Sequence, residues 1–199
     1  NFYQQLKTNF DALKVKIDAT PYSREVYKAA MFVYNHPYIH SDVHKAWAFW
    51  VCCIQGFSNK IGSWRGSNTR HKEALLNFNK KEAFTLELAE RLKITQIECV
   101  DAVKLIKTKD TPDTFFYIDP PYVDSNQGHY GGYMQSHFDS LLESLAGIKG
   151  KFLLSSYPNT GLASHTVKNG WYSKAVDMPL SASCANKRKI EMLTANYPI

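Results

Sequence analysis

Phe115-Phe116-Tyr117-Ile118-Asp119-Pro120-Pro121-Tyr122 is the stretch from which the rest of the chain is read. Four apolar or aromatic residues in a row predict a fully buried strand, which must stop at the first proline for want of a backbone N–H. The strand delivers Asp119 to its C-terminal end, the end at which open α/β sheets bind ligands. Two prolines then fix φ and hold the Pro120 carbonyl in one direction, and Tyr122 adds a flat aromatic surface. The product is a rigid cluster of two acceptors beside a stacking platform.

Such a cluster suits a planar heterocycle with an exocyclic amine. That amine is a poor nucleophile because its lone pair is delocalised into the ring. Two acceptors binding its two N–H protons favour a pyramidal nitrogen and free the lone pair, with little reorganisation when the acceptors are prearranged. A base stacked on an aromatic side chain gains about 1–3 kcal/mol. The bland alternative is a buried strand ending in a proline turn, with Asp119 as a cap or metal ligand. Asp-Pro alone favours that alternative; the full Asp-Pro-Pro-Tyr after an aromatic strand favours the base-binding one.

The chain has 199 residues, room for one α/β domain and a small subdomain. Its net charge of +6 suits a polyanionic partner without demanding one. Cys52, Cys53, Cys99 and Cys184 form no C-x-x-C pair, which predicts buried thiols in a reducing cytoplasm. No apolar run reaches the roughly 18 residues of a membrane span, and there is no signal-peptide pattern.

Phe2, Leu6, Phe10, Leu13 and Ile17 recur at helical spacing, predicting one amphipathic opening helix. A Ser23-capped helix to about Asn35 follows, ended by His36-Pro37, and Ser41 caps an almost wholly apolar helix through Ala46–Ile54. His36, His40 and His44 are spaced by four, but Pro37 interrupts the helix and no H-E-x-x-H is present, so no metal site is read there. From Gly56 to Lys72 the chain turns rich in Gly, Ser and Asn, with cations interleaved with Phe57 and Trp64. This is the composition of a nucleic-acid-reading loop or of a solvated connector, and Lys60, Trp64, Arg65, Asn68, Arg70 and Lys72 are its candidate contacts.

A helix is predicted over Lys80–Leu92, then a strand Gln96–Val100 ending at Asp101, and a helical turn at Val103–Ile106. After Tyr122 comes a Gly/Tyr loop through Tyr133 that could close over a substrate. A helix starting in a box-like Ser136…Asp139 pattern stops near Gly147, and Lys151–Ser156 is the next buried strand. Trp171–Met178 and Lys189–Tyr197 read as an antiparallel pair joined by a polar, basic tip. Its charge run is a solvated turn or, beside Asp119, a phosphate contact, with Asn186, Lys187 and Arg188 as candidates.

On these residues the sequence resembles the amino-methyltransferases that use S-adenosylmethionine, and more closely the Dam-type (alpha group) adenine-N6 DNA methyltransferases. Asp119-Pro120-Pro121-Tyr122 matches their catalytic motif in full. The resemblance implies an α/β, partial Rossmann-like sheet with an antiparallel C-terminal hairpin (residues 1–20 and 93–199) and a helical target-recognition subdomain (21–92). It implies S-adenosylmethionine as cofactor, with Asp101, Ala102 and Asp119 meeting it, duplex DNA as partner, and a bacterial or phage origin. It implies no metal. In the implied mechanism an adenine is flipped onto Tyr122, and its amino group, held by Asp119 and Pro120, attacks the sulfonium methyl.

One feature departs from the family. Its Phe-x-Gly-x-Gly turn, which holds the methionine part of the cofactor, does not occur in the sequence. A missing segment or a second chain is expected to supply it. The rivals are a non-catalytic DNA-binding remnant and an RNA or protein amino-methyltransferase sharing the motif.

Overall fold

Two hydrophobic clusters organise the computed structural model, which describes residues 1–57, 61–66, 72–123, 132–179 and 188–199. They correspond to two compact units, Asn1–Glu98 and Cys99–Ile199.

The first unit is helical. The expected opening helix is two, α1 (Phe2–Thr8) and α2 (Phe10–Asp18), broken at Asn9, where neither dihedral is helical. Its periodic residues still serve one core: Leu6, Leu13 and Ile17 are buried with Val33, Trp50 and Val51. α3 (Arg24–Asn35) is capped by Ser23, whose side chain accepts the Glu25 N–H, and α4 (Asp42–Ile54) by Ser41, which accepts the His44 N–H. A short 3-10 turn at Pro37–Ile39 separates them.

The helix predicted over Lys80–Leu92 is instead α5 (Lys72–Glu82) and α6 (Leu86–Lys93). Between them the chain leaves the helix to bury Phe84 against the core, stacked on Phe10 at 5.6 Å. Burial of one aromatic outweighs a few tenths of a kcal/mol of helix propensity.

The second unit carries α7 (Ala102–Lys109), β1 (Phe115–Ile118), α8 (Gln135–Ala146), β2 (Lys151–Ser156), α9 (Thr160–Asn169), β3 (Tyr172–Pro179) and β4 (Arg188–Ala195). The sheet order is β1-β2-β4-β3, with β1 parallel to β2 and the other pairs antiparallel. α7, α8 and α9 contribute Ile106, Leu142 and Leu162 to one core with Phe152 and Leu154. This is the mixed α/β, partial Rossmann-like arrangement expected, with the antiparallel C-terminal strand pair.

Three expectations are corrected here. The predicted strand Gln96–Val100 is exposed, irregular chain, with no strand beside it among the described residues to take its hydrogen bonds. The central strand is not fully buried. β1 lies at the end of the strand order, so Phe116 and Ile118 pack on the core while Phe115 and Tyr117 are 54% and 63% exposed. The start of α8 is not the Ser136 box: Met134 precedes the helix and its N–H donates to His137 Nδ1 at 3.1 Å.

The thiols also divide. Cys52 is buried, Cys53 half-buried and Cys99 exposed, and Cys184 lies outside the described residues. Among the described residues no helix is long and apolar enough to cross a membrane.

Candidate active site

Alternation along the strands gathers the site on one face. The register runs from Phe115–Lys151 to Ile118–Leu154, and Asp119 and Ser155 are the residues that follow the last pair. Ser155 in turn faces Leu193 on β4, and stepping back by twos brings Glu191 and Lys189 to the same side. Phe116, Ile118, Phe152 and Leu154 point the other way, into the core. Asp119 after β1, Ser155 and Tyr157 at the end of β2, and Lys189 and Glu191 at the start of β4 thus come together.

Asp119 is exposed and Pro120, Pro121 and Tyr122 are half-buried. The Tyr122 hydroxyl lies 2.9 Å from Ser155 Oγ, and its ring centroid is 4.4 Å from that of Tyr157, tilted by 59°. Burial pushes the Tyr122 phenol up to about 12, with the Asp119 and Glu191 carboxylates adding to the rise against the Ser155 hydrogen bond. The phenol is therefore neutral throughout the range in which a protein works. Lys189 is ion-paired with Glu191, and its ammonium sits 5.7 Å from the Tyr157 ring centroid. The Glu191 hydrogen bond raises its pKa, and Tyr157 and Asp119 add to the effect. The ammonium therefore stays charged beside the two carboxylates.

Pro121, Tyr122, Val123, Phe138, Ser156, Tyr157 and Asn159 line a cavity of about 20 Å³ beneath this edge. That volume holds a water and not a base.

The other expected contacts are distributed unevenly. Trp64 is half-buried, with the Arg24 guanidinium 4.8 Å from its ring centroid and Tyr22 at 5.5 Å. Arg65 donates from Nη2 to the Ile54 carbonyl at the end of α4 at 2.6 Å, and the Tyr22 hydroxyl donates to the Arg65 carbonyl. Both residues thus hold the loop to the helical unit. Lys72 opens α5 and is exposed. Arg188 is ion-paired to Asp177 across β3–β4 at 2.7 Å. Lys60, Asn68, Arg70, Asn186 and Lys187 lie outside the described residues, as does most of the Gly/Tyr loop after Tyr122.

Asp101 caps α7, accepting the Lys104 N–H at 3.0 Å, and Ala102 is the first residue of that helix. Both are exposed. One Asp101 oxygen is thus used at the start of its own helix, and no strand ending in a glycine-rich turn is present among the described residues.

Four residues escaped the reading of the sequence: Ser155, Tyr157, Lys189 and Glu191. Ser155, Lys189 and Glu191 lie in segments read as strand, and Tyr157 directly follows one. Only the pairing register, which no local pattern encodes, brings them to Asp119.

No curated protein matches the chain. A model of the D12 class N6 adenine-specific DNA methyltransferases matches residues 1–180, spanning the helical unit, the Asp-Pro-Pro-Tyr edge and β3. With nine-tenths of its length matched and the motif residues displayed at an open sheet edge, the chain belongs to the D12 class N6 adenine-specific DNA methyltransferase family, a family of enzymes.

Proposed function

We propose that this protein methylates the N6 atom of an adenine flipped out of duplex DNA, with S-adenosylmethionine as donor. The observation that carries this reading is the exposed Asp119 carboxylate beside a Tyr122 ring anchored at its hydroxyl by Ser155. A base stacked on Tyr122 presents its amino group at the level of Asp119. One N–H donates to the carboxylate and the other to the Pro120 carbonyl, which shifts the nitrogen towards a pyramidal, nucleophilic form. Acceptors fixed by a strand end and two prolines need not reorganise as charge develops. S-Adenosylmethionine, when bound, supplies an electrophilic sulfonium methyl.

The helical unit would meet the DNA through the Gly56–Lys72 loop, with Trp64 and Arg65 holding it in place and Lys60, Asn68, Arg70 and Lys72 as its candidate contacts. Asn186, Lys187 and Arg188 would meet phosphates near the flipped base. Asp101 and Ala102 would lie at the donor's adenine ring, as the resemblance implies.

The experiment is methyl transfer from labelled S-adenosylmethionine to duplex DNA, RNA and protein, with the product identified by mass spectrometry. N6-methyladenine from duplex DNA is expected. Label in RNA or in protein side chains alone would move the assignment to another amino-methyltransferase. The second reading is a non-catalytic DNA-binding protein. Calorimetry showing no binding of S-adenosylmethionine, together with intact DNA binding, would establish that second reading.

A further inference from the structure

We propose that Ser155, Tyr157 and Lys189 are positioning residues that fix the plane and rotation of the Tyr122 ring, and so set the height at which a bound base offers its amino group to Asp119. This inference rests on the reading of the site as a base-methylating centre.

Tyr122 follows two prolines, so its backbone is constrained, but its ring still has two side-chain torsions. Each is held from a different direction. Ser155, buried on β2, engages the hydroxyl at 2.9 Å and limits swing about the first torsion. Tyr157 lies against one side of the ring at 4.4 Å with a 59° tilt, at the close limit of the roughly 4.5–7 Å spacing of favourable aromatic pairs, and limits rotation about the second.

Tyr157 is itself braced. Lys189 stands 5.7 Å from its ring centroid, inside the roughly 6 Å reach of a cation–π contact. Glu191, two residues along the same strand face, holds the Lys189 ammonium there and is itself only 15% exposed in its side chain. The order Glu191–Lys189–Tyr157–Tyr122 is thus a stack that starts on rigid β4 and ends at the platform. A lysine meant for phosphate would be expected to extend towards solvent. This one is turned inward onto a ring and a carboxylate.

Displacing a reacting group by about 1 Å costs on the order of a hundredfold in rate. The test is single-turnover methyl transfer by Tyr157→Ala, Lys189→Met and Ser155→Ala, with Tyr157→Phe and Lys189→Arg as conservative partners and Asp119→Ala as reference. Dissociation constants for donor and DNA, and the emission of 2-aminopurine placed at the target base, are measured alongside. Expected is a fall in rate of about 10–100-fold for the three disruptive variants, with both dissociation constants within about twofold and 2-aminopurine emission altered. Tyr157→Phe and Lys189→Arg should recover most of the rate.

A Lys189→Met variant that keeps its rate, but binds DNA more weakly with a salt slope reduced by about one, would make Lys189 a phosphate contact and overturn the proposal. Unchanged rates in Tyr157→Ala and Lys189→Met beside an inactive Asp119→Ala would also overturn it, while leaving the methylation reading intact. Full activity in Asp119→Ala would instead remove the reading beneath it. Should Tyr157→Ala fail to fold, the half-exposed Lys189→Met carries the same decision.

Discussion

The two ends of the parallel strand pair are built from similar residues and do opposite things. At the N-terminal end, Asp110 accepts the Lys149 N–H at 2.9 Å and the Gly150 N–H at 2.9 Å. Asn196 donates to the Gly150 carbonyl and accepts the Phe152 N–H, and the Thr111 and Thr114 hydroxyls bond one another at 2.8 Å. Polar side chains there satisfy backbone groups that the strand ends leave over. At the C-terminal end, Asp119 follows its strand as an exposed carboxylate, and the hydrogen bonds around it run between side chains, from Tyr122 to Ser155 and from Lys189 to Glu191. A carboxylate that closes a loop contributes stability. One set among neutral phenol, hydroxyl and ammonium groups, and open to solvent, has capacity left for a ligand.

This contrast can be broken by mutation. Asp119→Ala should lower methyl transfer by about 10²–10³-fold and leave the thermal midpoint and DNA affinity near those of the parent. Loss of DNA binding in step with activity would make Asp119 structural and erase the difference between the ends. Next in size, Leu142→Ala empties a fully buried position beneath the sheet and should cost about 2–5 kcal/mol in urea unfolding.

Smaller effects sharpen the N-terminal side. Asp110→Ala strands two backbone donors, at about 1–3 kcal/mol of stability, without touching turnover of the folded enzyme. Gly150→Ala should behave alike, because an added Cβ would meet the Thr114 carbonyl oxygen at 2.5 Å and that of Thr111 at 2.9 Å. A kinetic defect in either variant would contradict the division.

The smallest effect lies at high pH. The Tyr122 phenol ionises near 12 in the folded chain and near 10 unfolded. Between those values the folded state binds more protons, so stability falls as pH rises through the window. Urea midpoints at pH 9 and pH 11 should differ less in Tyr122→Phe than in the parent, and an equal drop in both would show the phenol to be unburied.

Much of this was legible before the coordinates. Ser23 and Ser41 mark their helix starts by capping chemistry, and Asp119 must sit at a strand end because two prolines follow it. Such signals are local. What escaped depends on distant partners. Whether Phe115 and Tyr117 are buried is set by which strands lie beside β1, and the bond from Arg65 to the end of α4 could not be read from the loop's composition. Lys189 reads as part of a basic run, and only the register turns it towards Tyr157.

The account's central claim is that one amino group of a base is gripped where β1 ends. The most direct test is a structure with duplex DNA carrying the target adenine. The account predicts adenine N6 about 2.7–3.2 Å from both an Asp119 carboxylate oxygen and the Pro120 carbonyl, with the base stacked on Tyr122. An adenine seated elsewhere, with Asp119 still facing solvent, would contradict it.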